Sequence, residues 1–207
     1  MAKHYVTDAE MAAVAEAIRA KAGTEDKLSF PEGFVDGITN LPSGGGDDGT
    51  LKGIIERTVD NPTLPSDLTN IGNYVFQGCK NLTLISLPSG VTSIGVSAFQ
   101  GCKNLALTSL PSGVTSIGSS AFNQCTNLAL TSLPSGVTSI GSSAFQYCTG
   151  LTSITFEGKP TSTINSRAFN DCTNLLTINV PWAEGEVANA PWGATNATIN
   201  YNYTGEA

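Results

Sequence analysis

The sequence predicts an α/β solenoid: five tandem coils with capping strands, preceded by a small N-terminal helical hairpin. Three observations carry that prediction. First, Phe76, Phe99, Phe122, Phe145 and Phe169 lie 23, 23, 23 and 24 residues apart, and Cys79, Cys102, Cys125, Cys148 and Cys172 keep the same register. Second, the stretch NLALTSLPSGVTSIGSSAF occurs twice verbatim, at 104–122 and at 127–145. A period between 20 and 50 residues, about the length of one supersecondary unit, marks a stack of such units. Third, a glycine-rich stretch separates the repeats from an N-terminal segment whose apolar residues follow helical spacing.

In chain order, residues 1–41 form the expected hairpin. Thr7 and Glu10 make a Thr-x-x-Glu capping box, after which Met11, Val14, Ala15 and Ile18 share one helical face until Gly23 ends the segment. A second box, Ser29 to Glu32 with Pro31 inside it, introduces Phe34 and Ile38. About forty residues rarely hold a core alone. The face of Met11, Val14, Ile18, Phe34 and Ile38 is therefore expected to attach to another protein or to self-associate, forming a homo-oligomer. Packing on the end of the solenoid is the alternative. Residues 42–50, with Gly44, Gly45, Gly46, Asp47, Asp48 and Gly49, read as a flexible linker. They are not a phosphate loop, because no lysine follows the glycines. Residues 51–64 are expected to form an N-terminal cap, with an edge strand over Leu51 to Val59.

The coils occupy residues 65–181, and each phase of the unit has a physical reading. Pro88, Pro111 and Pro134, each followed by Ser-Gly, turn the chain, because proline offers no ladder donor and glycine tolerates positive φ. The pairs Val91 and Ile94, Val114 and Ile117, and Val137 and Ile140 give short β-branched segments that end at Gly95, Gly118 and Gly141. The Ser-Ala-Phe segment suits one short helical turn, capped by serine, with phenylalanine inward. Leu82, Ile85 and Leu87 recur as Leu151, Ile154, Phe156 and as Leu175, Ile178, Val180, a strand whose apolar residues line the core. The second and third coils depart from this, with Thr108 or Thr131 at the middle position and Leu107 or Leu130 one place earlier. Either the strand adjusts there, or Leu84, Leu107 and Leu130 form an outward stripe. One coil cannot bury its own apolar face, so neighbours must stack, at about 4.8 Å per coil and roughly 25 Å in all. Residues 182–207 then close the stack, with Trp182, Trp192, Tyr201 and Tyr203 as cover and a final strand over Ala197 to Tyr203.

Charge narrows the function. The net charge is -7, yet residues 1–64 carry eleven acids and six bases while residues 65–181 carry only three acids and four bases. No charged side chain lies between Asn104 and Phe156. A groove that tracks phosphates needs clustered Lys and Arg, so nucleic acid is not an expected partner. No run of eighteen apolar residues argues for membrane insertion, and residues 1–10 lack the layout of a secretory signal. The product is expected to be made in the cytoplasm and not exported by that route.

Candidate chemistry is sparse. The five cysteines are odd in number and contain no Cys-x-x-Cys pair, so a ladder of buried free thiols is favoured over disulfides or a metal site. Asn81, Asn104, Asn127 and Asn174 are expected to bond turn backbone in a ladder that Gly150 interrupts. His4 is the single histidine and no Gly-x-Ser-x-Gly elbow exists, so neither catalysis nor a cofactor is expected. The columns Thr92, Thr115, Thr138 and Ser93, Ser116, Ser139 are similar to those of ice-binding solenoids, but three clean rows fit a solvated turn face better. Ser86, Ser109, Ser132 and Thr155 offer a low-charge face able to hydrogen-bond a ligand.

The unit resembles the BspA-type leucine-rich repeat, which runs Ile-Gly, two variable residues, Ala-Phe, two variable residues, Cys, two variable residues, Leu. Residues Ile71 to Leu82, Ile94 to Leu105, Ile117 to Leu128 and Ile140 to Leu151 follow that pattern closely. The last repeat departs from it, with Asn165 in place of glycine and one extra residue around Glu157 to Pro160. The resemblance implies a surface-exposed adhesion or interaction module. The hairpin, the glycine linker and the closing Pro-Trp segments at 181–182 and 191–192 also resemble tail-associated proteins of phages and prophages of Gram-positive gut bacteria. That second resemblance implies a virion protein, attached to the tail or baseplate through the hairpin, whose solenoid meets a host-surface protein or glycan. A BspA-like adhesin on the bacterial cell surface and an intracellular protein-binding scaffold are the alternatives.

Overall fold

The strands are very short, because each turn of the chain contributes only two to four residues of extended backbone before a corner. A computed structural model describes residues 64, 66–162 and 164–205. The expected hairpin, linker and first capping strand lie outside the described residues. Eight strands follow in order: β1 (Asn70–Ile71), β2 (Ser93–Ile94), β3 (Ser116–Ile117), β4 (Ser132–Leu133), β5 (Ser139–Ile140), β6 (Ser153–Phe156), β7 (Thr177–Asn179) and β8 (Thr198–Asn200). They make two four-stranded parallel sheets, ordered β1-β2-β3-β5 and β4-β6-β7-β8. Pairing in the first sheet keeps the repeat register, with Ile71, Ile94, Ile117 and Ile140 aligned in one row. The second sheet aligns Ile154, Ile178 and Ile199.

The solenoid has about six turns. The segment after Val180, expected as cover with a final strand over Ala197 to Tyr203, adds a turn: β8 falls within that stretch and pairs with β7, and the Trp192 carbonyl accepts the Phe169 N–H as the Ala168 carbonyl accepts that of Phe145. Its closing role holds as well. Trp182 and Trp192 are buried against Phe156, with ring centroids at 5.4 and 5.6 Å, and the Trp192 indole N–H donates to the Ala188 carbonyl at 2.8 Å.

One phenylalanine per coil forms the central pillar. Consecutive rings from Phe76 to Phe169 sit 5.1 to 5.4 Å apart with planes within 8° of parallel. Around them lie Val91, Val114 and Val137, the aligned isoleucines, and Ala98, Ala121, Ala144 and Ala168, all buried. The corner glycines are required by how closely coils approach: a Cβ on Gly118 would lie 2.6 Å from the Gly95 carbonyl carbon. In the fifth coil Asn165 occupies that corner, and its Oδ1 accepts the Arg167 N–H at 3.0 Å. The extra residue just before it leaves only an isolated bridge, Ile140 to Ile164, where a further strand of the first sheet would lie.

Two expectations are corrected. The Ser-Ala-Phe segment is not a helical turn, and no helix occurs among the described residues. Ser97, Ser120 and Ser143 sit at left-handed corners, with φ of 51°, 55° and 55°, so they turn the chain instead of capping a helix. The N–H groups that a helix would direct along its own axis go to the next coil: Phe76 to Ala98, Phe99 to Ala121, Phe122 to Ala144, each at 2.8 Å. The second correction concerns Ile85, expected inward but 70% exposed, whereas Leu84, Leu107 and Leu130 are all buried. The strand therefore adjusts, and no outward leucine stripe exists. In the first three coils the buried positions are Leu82, Leu84, Leu87 and their equivalents; in the next two they are Leu151, Ile154, Phe156 and Leu175, Ile178, Val180. A final step of two residues matches the alternation of a β-strand, and a final step of three breaks it. β6 and β7 have the two-residue step, and the first two coils, with the three-residue step, have no strand on this side; the third coil keeps the three-residue step and forms only the two-residue β4, paired with β6.

Candidate binding face

Outside the second sheet, and along the same side of the earlier coils, each turn presents two or three small polar residues. From the first coil onward the rows read Thr83, Ile85, Ser86; Ala106, Thr108, Ser109; Ala129, Thr131, Ser132; Thr152, Ser153, Thr155; Leu176, Thr177, Asn179; Ala197, Thr198, Asn200. None of these residues is charged. Ile85 in the first row and Leu176 in the fifth are 70% and 60% exposed, with hydroxyl and methyl groups in the rows between them.

The four candidate ligand residues fall in one column of that face, but in two environments. Ser86 and Ser109 are exposed. Ser132 and Thr155, register partners between β4 and β6, are half-buried and tied into a chain of side chains. The Ser132 hydroxyl donates to Glu157 Oε1 at 2.7 Å, and Asn179 Nδ2 donates to Thr155 Oγ1 at 3.1 Å. Asn200 Nδ2 extends the chain to Asn179 Oδ1 at 2.8 Å. Sequence reasoning missed Asn179 and Asn200 as members of this column. The signal was available in the tripeptide Thr-Ile-Asn, which stands at 177–179 and again at 198–200. The candidate attachment residues Met11, Val14, Ile18, Phe34 and Ile38 lie outside the described residues.

The other repeated columns are occupied by internal bonds. Thr92, Thr115 and Thr138 each donate a hydroxyl to the carbonyl 23 residues earlier, at 3.0 to 3.2 Å, and Ser93 donates to Asn70 Oδ1 at 2.6 Å. Of the expected asparagine ladder, Asn174 bonds a turn carbonyl, that of Thr149, at 2.8 Å. Asn196 repeats the bond on the Thr173 carbonyl, while Asn81, Asn104 and Asn127 are exposed. Thr126 does the corresponding work on the Lys103 carbonyl at 3.3 Å.

The thiols form the internal ladder. All five cysteines are free and buried. Those of Cys102, Cys125, Cys148 and Cys172 donate to the carbonyls of Phe76, Phe99, Phe122 and Phe145 at 2.8 to 3.0 Å. Burial, with a smaller contribution from neighbouring thiols, pushes Cys125 and Cys148 well above the ordinary thiol range. Burial likewise pushes Cys172 up to about 12. At neutral pH these groups are protonated and inert as nucleophiles or metal ligands.

An open cavity of about 510 Å³ lies where the enlarged 157–160 loop meets the closing segment. Lys159 and Glu186, both on its wall, pair at 3.0 Å across its mouth, about half exposed. Its remaining lining is Pro160, Thr161, Ser162, Val187 and Ala188, none of them a general base or strong nucleophile. Among the described residues no group of His, Cys, Asp and Glu side chains is placed to hold a metal ion.

A stack of about six coils with this core has a sequence counterpart. A model of the BspA type leucine rich repeat region matches residues 56–183 in six copies. The chain belongs to the BspA-type leucine-rich repeat family. Among solved structures, it is similar to a leucine-rich repeat protein from Bacteroides ovatus ATCC 8483, at 34% identity with a TM-score of 0.52. That match covers 59% of this chain and 32% of the other, so this chain spans about a third of that protein. It is also similar to the T. pallidum leucine rich repeat protein, at 29% identity with a TM-score of 0.56, over 70% of this chain and 71% of that one. No curated protein matches the sequence.

Proposed function

We propose that this leucine-rich repeat protein is a non-enzymatic recognition module that binds a host-surface protein or glycan through the uncharged array of Thr, Ser and Asn side chains. The observation that carries the reading is the continuity of that array over six rows without a charge, on a family scaffold of stacked coils. A surface of this kind desolvates at low cost and offers hydroxyl groups at a spacing of about 4.8 Å. Ser86 and Ser109 keep their hydroxyls available to a partner. In the proposed setting, residues 1–41 mount the module on the tail or baseplate of a phage or prophage. Met11, Val14, Ile18, Phe34 and Ile38 form the attachment face.

Two experiments test the parts separately. Particles carrying Ser109→Arg should assemble normally and adsorb to host cells at least tenfold less well; unchanged adsorption would remove the face from the reading. Deleting residues 1–41 should abolish incorporation into particles while the solenoid still folds, and continued incorporation would overturn the attachment role. Family membership supports a second reading, a BspA-like adhesin on the bacterial surface. Tail, holin and lysin genes beside this gene support the virion setting, and a cell-wall locus supports the adhesin.

A further inference from the structure

Among the described residues, the second sheet ends on the open edge of β8. The Thr198 N–H donates to the Leu176 carbonyl and the Asn200 carbonyl accepts the Val180 N–H, so the backbone groups of Thr198 and Asn200 face β7. In a parallel pair the intervening residue faces away. The N–H and C=O of Ile199 therefore point out of the sheet, beyond its last strand. Edges of this kind are commonly protected by lysine, proline or a bulge. Here β8 contains neither lysine nor proline, and no charged residue occurs anywhere from Val187 to Gly205. Ile199, Tyr201 and Tyr203 are each only partly buried.

We propose that this edge is an interface between two copies of the chain, joined by antiparallel pairing of β8 with its symmetry mate about Ile199. The groups on the edge favour a second copy. Antiparallel pairing on a two-fold axis sets Ile199 against Ile199 of the second copy, so that each N–H meets the other's carbonyl. It sets Thr198 against Asn200 of the second copy, a polar pair repeated on both sides of the axis. A two-fold contact brings residues near the axis close to their own copies, where any charge would repel itself. An end without charge over nineteen residues meets that condition. The core beneath is already closed by Trp182 and Trp192, both buried, so pairing adds to a finished fold and does not complete an unfinished one. The second sheet would then run through both molecules, and the two recognition faces would be held in one assembly.

The contact is small, so dimerisation should depend on concentration. Sedimentation velocity on the full chain should show the mass rising with concentration from 21.4 kDa towards twice that value. Ile199→Pro removes the outward N–H, which no bond among the described residues uses, and should hold the protein monomeric at least tenfold higher in concentration. Thr198→Lys, at an exposed position, is the second variant and should do the same by placing like charges across the axis. Unchanged far-ultraviolet spectra and melting temperatures would show that both variants fold. A wild-type chain that stays monomeric at every concentration overturns the proposal, as does a dimer that persists in both folded variants.

Discussion

Raising the pH above about 9 should weaken this solenoid through its own core. In the folded chain the thiols of Cys125, Cys148 and Cys172 are held above their ordinary value of 9.0, chiefly by burial. Unfolding releases them to water, where they ionise near that ordinary value. A folded-state pKa raised above the unfolded one means that the stabilisation is fully present below pH 9. It is then lost progressively as pH climbs from 9 towards the folded value, about 12 for Cys172. At pH 10 each unfolded thiol contributes on the order of 1 kcal/mol in favour of unfolding, so the three together remove roughly 3–4 kcal/mol. In a chain of this size that lowers the melting temperature by about 10 °C. Urea titrations followed by circular dichroism between pH 8 and 10.5 measure the slope directly. Cys148→Ala supplies the control: it costs stability at every pH by leaving a small cavity, but it should flatten the slope by about a third. Equal slopes in the two proteins would refute the argument, because the loss would then come from other groups. At pH 7 the same burial predicts that maleimide labels none of the five thiols without denaturant.

Three substitutions probe the packing of coils on one another. Gly118→Ala places a methyl group 2.6 Å from Gly95 backbone that cannot move aside, and should cost about 2–3 kcal/mol. Gly113→Ala, whose nearest neighbour is 3.6 Å away, should cost under about 1 kcal/mol; equal losses in urea melts would show that close approach is not what the corner glycine serves. Asn123→Gln addresses the buried Asn123 Oδ1, which has no partner. It lies in a column where Gln77 bonds Gln100 at 2.7 Å and Gln146 bonds Asp171 at 3.3 Å, and one added methylene brings its amide oxygen towards Gln100. A gain of about 1 kcal/mol in unfolding free energy is expected, and a loss would mean that the longer side chain does not fit. Phe122→Ala opens the middle of the ring stack and should cost about 3–5 kcal/mol; a loss below about 1 kcal/mol in the same melts would show that the stack is not the main support.

What could be read from the sequence was whatever the period imposes on every coil alike. Phe122, Cys125, Val114 and Ile117 had to be inward, because a residue repeated in register from coil to coil, five times for the phenylalanine and cysteine and three for the valine, stacks on itself, and an apolar or weakly polar group does so in a dry core. Choices within one coil were harder. The first coil holds both Leu84 and Ile85, and either fits a local strand pattern. Its neighbour decides: at the equivalent of Ile85 the second coil has Thr108, so Leu84 stacks inward on Leu107 and Ile85 is left in solvent. The Ser-Ala-Phe corner misled for a related reason. Local preference counts bonds within a segment, whereas here the donors of Phe99 and Phe122 are answered by the next coil. The candidate face was only half legible, since Ser132 and Thr155 stand out in the sequence while the partners that engage them, Glu157 and Asn179, depend on which residues meet across β4, β6 and β7.

The two halves of the candidate face therefore suit different work. From Ser132 to Asn200 the polar column is linked side chain to side chain, apart from the break between Glu157 and Thr155, and lies on continuous sheet. A ligand there would have to displace internal bonds, each worth about 1 kcal/mol net. Over the first two coils no strand underlies the face, and Ser86 and Ser109 are exposed beside Ile85 and Thr108. A contact there gives up only bonds to water and gains the apolar area of an isoleucine already 70% exposed. Binding energy should therefore concentrate on the early coils, while the later ones, closed by tryptophan and strapped by their own hydrogen bonds, hold the array rigid.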